Sequence, residues 1–134
     1  MQINIFKVLR PVDLGDYAKE YQSQIIYVWV NPTRQFRMER DELDKAYATE
    51  AEKIRKRATD QAVADAFLKF LQEQYLPKVK AWFAGLFSQH ADPATHLTQA
   101  ELERIEAEDP ALMEWLMNRA IKLIAEHRSA EKKG

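Results

Sequence analysis

The residues best placed to do chemistry sit in one short stretch, "SQHADPATH", where His90, Asp92 and His96 offer two imidazoles and a carboxylate. Such a set could take a divalent transition metal, yet zinc sites draw on three or four nitrogen or sulfur ligands held by supporting hydrogen bonds. The remaining histidine, His127, lies far along the chain, so a solvated loop is the stronger reading. Glu101, Glu103, Glu106, Glu108 and Asp109 crowd one short segment and raise the question of paired-acid catalysis. Nothing apolar beside them in the sequence would desolvate a carboxyl and lift its pKa, and solvated helix faces have this composition. Ser23, Ser88 and Ser129 stand outside any nucleophile-elbow pattern, and no Gly-rich phosphate loop is present. With no cysteine, thiol catalysis, disulfides and Cys-based zinc or iron–sulfur sites are excluded. The chain reads as non-enzymatic, with no catalytic, cofactor-binding or metal residue and no cofactor called for.

Lys53, Arg55, Lys56 and Arg57 form the one basic cluster that could meet nucleic acid. Glu50, Glu52 and Asp60 flank it and largely cancel its field, and the net charge of -1 draws the chain to neither nucleic acid nor an anionic membrane. A small helical nucleic-acid-binding or regulatory protein using Lys53 to Arg57 is kept as the alternative reading.

The elements that must position these groups are mostly helical. The 134 residues suit one domain, read as residues 1–128 with a charged tail at 129–134, and 3 Gly with 5 Pro argue against an all-β or disordered chain. The fold class expected is mainly α (α+β), a helical domain with a small N-terminal β element at about residues 3–30. Ile3, Ile5, Phe6, Val8 and Leu9 make a β-prone run expected to end at Arg10-Pro11. Asp13 to Asp16 is turn chemistry, and Tyr17 to Ser23 is open between a helical turn and a loop. Gln24 to Val30 is the clearest strand, apolar enough that both faces should be covered, and Asn31-Pro32 should end it.

From about Arg34 to Leu76 there is neither Gly nor Pro, which predicts one long helix or two abutting ones. Its first half carries a thin apolar stripe and should be solvent-bathed or partner-facing, while its second half, from Val63 to Tyr75, carries a thicker one that should be buried. Pro77 should end or kink it. Val79, Trp82, Phe83, Leu86 and Phe87 follow helical spacing. Thr98 and Glu101 form a capping box, and Asp109-Pro110 starts the last helix.

Aromatic residues at helical spacing are usually core, so Phe67, Phe70, Trp82 and Phe83 are assigned there. The last helix has an apolar arc wider than one core contact needs, and Trp and Met favour interfaces. Trp29, Met113, Trp115, Leu116, Met117 and Ile121 are therefore the candidate partner interface, with self-association expected through the last helix. No leader or membrane span is read, so a soluble intracellular protein is expected.

The order of pieces is informative: "YQSQIIYVWVNPT", a long charged helix, "VKAWFAGLF", a polar loop, then "LTQAELERIEAEDPALMEWLMNRAIKLI". On Val28 to Pro32, Trp82, Leu97-Thr98 and Asp109 to Ile124 the chain resembles the tail assembly chaperones of long-tailed phages and prophages. The resemblance implies a non-enzymatic scaffold that coats the tape measure protein, recruits tail tube protein, works in the host cytoplasm and is absent from the finished particle. It also implies a programmed -1 frameshift near the stop codon, and Lys132-Lys133 is what a slippery heptamer would encode.

Overall fold

The computed structural model describes residues 5–57 and 60–133, with side chains to residue 130. It is mainly helical with a three-stranded antiparallel sheet of order β1 (Leu9–Asp13), β2 (Ile25–Trp29) and β3 (Phe87–Ser88). The helices are α1 (Arg34–Lys56), α2 (Gln61–Phe70), α3 (Leu76–Leu86), α4 (Gln99–Glu108) and α5 (Pro110–Lys133). The chain folds as two compact units, Met1–Pro32 with Phe83–Gly134, and Thr33–Trp82.

In the first unit, β1 runs on through Pro11, past the point where the sequence suggested an end. An edge strand tolerates a residue that cannot donate to a ladder, and β1 is an edge. Ile3 lies outside the described residues, while Ile5 and Phe6 precede the strand with 89% and 72% of their surface exposed. The Asn31 side chain brackets this approach: its Oδ1 accepts from the Val8 N–H (2.7 Å) and its Nδ2 donates to the Phe6 carbonyl (2.8 Å).

Tyr17 to Ser23 holds a 3-10 turn at Lys19–Tyr21, after another at Leu14–Asp16. Asp13 organises both by accepting from the Gly15 N–H (2.8 Å) and, at longer range, the Ser23 N–H (3.3 Å). Gly15 is required there, because a Cβ would sit 2.9 Å from the Gln22 Cα.

β2 alternates, contrary to the expectation that both faces are covered. Ile26, Val28 and Val30 are buried with Val12 beneath α5, while Ile25, Tyr27 and Trp29 on the other face stay partly exposed. The period-2 geometry of a strand wins over its uniformly apolar composition, because only one face meets the core. Helical spacing places Phe87 on a helix face; in the structure Phe87 instead pairs with Val28 as part of β3, and its carbonyl accepts from the Leu97 N–H (2.8 Å). Trp and Phe suit either element, so helical spacing alone could not find this strand.

The capping box of α4 has both arms: the Thr98 Oγ1 accepts from the Glu101 N–H (3.1 Å) and the Glu101 carboxylate from the Thr98 N–H (2.9 Å). Asp109 caps α5 by accepting from the Leu112 N–H (3.1 Å). That helix continues to Lys133, through the segment read as a tail.

The second unit is a helical hairpin. The Gly- and Pro-free stretch divides after Arg57, and Asp60 caps α2 by accepting from the Ala62 N–H (3.0 Å). Tyr47 meets Phe67 (ring centroids 5.9 Å) and Tyr75 (4.9 Å), and Phe36 stacks on Trp82 (4.8 Å). Polar ties reinforce these pairs. Asp44 Oδ1 accepts from the Tyr75 hydroxyl (3.1 Å) and from Arg40 Nε (3.0 Å), and Trp82 Nε1 donates to the Phe36 carbonyl (2.6 Å).

The helix does not end at Pro77. A π-turn at Leu71–Tyr75 leads straight into α3, with the Leu76 N–H bonded to the Leu71 carbonyl. The shift to five-residue spacing moves the carbonyl with which the proline ring would otherwise collide.

The second half of this stretch is not buried as expected. Neither α1 nor α2 holds a fully buried residue, and Phe67 and Phe70 are half-buried. Two helices side by side cover each other on one side only.

Candidate partner-binding surfaces

The six residues predicted to form one interface do not form one patch. Met113 and Leu116 are each 1% exposed and belong to the core, a correction to their assignment as partner contacts. They share the inward stripe of α5 with Leu112, Ala120 and Leu123, and β2 covers it. The wide apolar arc of this helix is therefore mostly used within its own unit.

Trp115 and Met117 flank Leu116 at about 100° on opposite sides of the helix, so they cannot share a contact. Trp115 is half-buried against Tyr17 (centroids 5.7 Å), and Tyr17 leans on Tyr21 (6.1 Å). The Tyr21 hydroxyl donates to Asp109 Oδ2 (2.5 Å), which ties the 3-10 segment to the cap of α5. This tie was not legible in the sequence, where the two residues stand 88 positions apart.

On the other flank Met117 is half-buried and Ile121 half-exposed. Trp29 is half-buried on the sheet face turned away from Ile26 and Val28, with the Lys7 ammonium 4.7 Å from its ring centroid. Partial burial there holds the Lys7 pKa below the ordinary lysine value.

Two hydrogen-bonded carboxylates have lowered pKa values. Asp109 is held down chiefly by the Tyr21 hydroxyl and also by the Leu112 N–H. Glu101 is held down chiefly by the Thr98 N–H. Both are anions fixed at helix N-termini, a capping role that leaves no proton to transfer near neutral pH.

The histidine-bearing loop is turn structure. Asp92 accepts from the Ala94 N–H (2.9 Å), and His96 Nδ1 lies 2.7 Å from the Leu97 carbonyl. Among the described residues no group of three or more His, Asp or Glu could hold a metal ion. In the basic cluster, Lys53 pairs with Glu50 (3.1 Å) and Arg55 with Glu52 (2.8 Å), with Lys56 3.9 Å from the same carboxylate. Three of its four cations, Lys53, Arg55 and Lys56, are thus engaged by carboxylates of their own helix.

Two further apolar features stand out. The hairpin leaves Met38, Tyr47, Leu68 and Leu76 exposed, with Leu68 at 53%. In the first unit, a groove of about 410 Å³ opens beside the start of β2, lined by Leu14, Ile26, Leu97, Ile105, Leu112 and Leu116 and edged by Gln24 and Glu108. No helix among the described residues is long and apolar enough to cross a membrane. The chain matches no protein-family model, no curated protein and no solved structure.

Proposed function

We propose that this chain is a non-enzymatic phage tail assembly chaperone that binds the tape measure protein and promotes tail tube assembly. The observation that carries the reading is the hairpin, in which α1 and α2 reach no full burial and Met38, Tyr47, Leu68 and Leu76 are exposed. A helix pair in this state has apolar edges to offer a third helix, the helix-in-groove mode of recognition. The pattern of Val28 to Pro32, Trp82, Leu97-Thr98 and Asp109 to Ile124 supports the same reading by resemblance. Incomplete burial fits a reversible contact, since tail tube protein must displace the chaperone.

In this role the chain acts in the host cytoplasm as a homo-oligomer and leaves before the particle is finished. Ile121 and Met117 add a smaller apolar edge on α5. Co-expression with the tape measure protein of the same genome tests the reading. A soluble complex that survives high salt is expected, because apolar contacts are little screened. Binding to nucleic acid that collapses with salt, and no complex with the tape measure protein, would overturn it in favour of the Lys53 to Arg57 alternative.

A further inference from the structure

We propose that the groove beside β2 is a strand-addition site for the N-terminal segment, about Gln2 to Phe6, of a second copy of this chain. This does not rest on the assembly reading.

The sheet has an unfilled position there. The Leu14 N–H donates to the Gln24 carbonyl (2.9 Å) and the Val30 N–H to the Val8 carbonyl (3.0 Å). Residues 24, 26, 28 and 30 therefore turn their backbone groups to β1, and residues 25, 27 and 29 turn theirs the other way, as an antiparallel ladder requires. On that other side Tyr27 is opposite Ser88, where β3 ends. The next partner of Ile25 would be His90, but the His90 N–H donates to Ser88 Oγ (3.1 Å) and the chain bends away. The N–H and C=O of Ile25 consequently face the groove with no strand opposite them among the described residues. A free edge beside an apolar trough is what an extended peptide needs: backbone pairing for affinity and a recess for alternate side chains.

The occupant follows from what this chain leaves uncovered. Ile3 and Ile5 alternate with Gln2 and Asn4, so both aliphatic side chains fall on one face of a strand. Ile5 is 89% exposed, with no cover of its own. A copy cannot serve itself. Asn31 holds the Phe6 carbonyl at one end of β2, and the groove opens at the other, six residues away, or about 20 Å along a strand. Ile3 is three residues from Phe6 and reaches at most about 11 Å. The segment must enter a neighbour.

Sedimentation of the full chain over a range of concentrations tests this. Self-association is expected, weakened on the order of ten- to a hundredfold by Ile5→Asp, the scale for losing one buried aliphatic side chain. Ile25→Pro, which removes an N–H that β1 does not use, should weaken it likewise while circular dichroism stays unchanged. Should that variant fold poorly, a synthetic peptide of residues 2–8 supplies the same information, because it should compete and shift the wild type toward monomer. Ile121→Glu should have no effect. A chain that stays monomeric, an Ile5→Asp variant that associates as well as wild type, a peptide without effect, or loss of association in Ile121→Glu alone would each overturn the proposal.

Discussion

The two units of this chain solve the same problem with different success. The sheet-bearing unit contains every buried hydrophobic side chain among the described residues except Trp82. There α5 lies across β2, with α4 beside α5, so Leu102, Met113, Leu116 and Val28 are covered from several directions. The hairpin unit is as rich in aromatics but has only two layers of helix to wrap them. Tyr47, Phe67, Phe70 and Tyr75 stack on one another and still reach solvent. Burial is set by how many elements converge on a side chain, not by how apolar that side chain is. The covered unit holds the core, and the uncovered one leaves apolar edges exposed, the surface that the proposed function gives to a partner.

The comparison breaks most readily on core truncations. Leu116→Ala should cost about 2–5 kcal/mol in a denaturant titration, since a closed core cannot collapse around the missing atoms. Phe67→Ala in the hairpin should cost only about 1 kcal/mol, because the ring gives up half a burial. Equal losses would mean that the hairpin is as tightly held as the sheet unit. Amide exchange sharpens the same point: α1 and α2 should exchange faster than β2 and the buried stripe of α5, as sparsely covered elements do.

A middle-sized effect is expected at the helix caps. Thr98→Ala should lose about 1 kcal/mol by removing the acceptor of the α4 capping box. Glu101 and Asp109 also give the sheet unit an acid sensitivity. Their pKa values are lower folded than unfolded, so their contribution is full above the ordinary carboxylate range and is lost as pH falls through the depressed folded values. Glu101→Gln with Asp109→Asn should flatten the stability–pH curve below about pH 4, where unfolded carboxylates begin to take up protons. A curve unchanged by the pair of substitutions would show that the two caps do not carry that limb. The smallest effect belongs to the basic cluster: Arg55→Ala should change stability by less than about 1 kcal/mol, since its pairing with Glu52 is solvent-exposed.

Local chemistry makes much of this fold legible in the sequence. The strand at Ile25 to Trp29, the capping box at Thr98 and Glu101, and the Asp109-Pro110 start of α5 each depend on neighbours in sequence. What stayed hidden depends on distant partners. Met113 and Leu116 carry the residue types of an interface, and only the arrival of β2 makes them core. Pro77 passes through a helix because the turn before it widens, a choice that no single-residue propensity encodes. The groove beside Ile25 exists because β3 stops at Ser88, and a two-residue strand has no periodicity to find.

The assembly reading turns most directly on co-purification of the tape measure protein with wild type and with Leu68→Asp, both folded by circular dichroism. The account predicts a salt-resistant soluble complex with wild type that Leu68→Asp loses. A complex untouched by Leu68→Asp, or no complex at any salt concentration, would contradict the claim that the uncovered hairpin is the surface that binds.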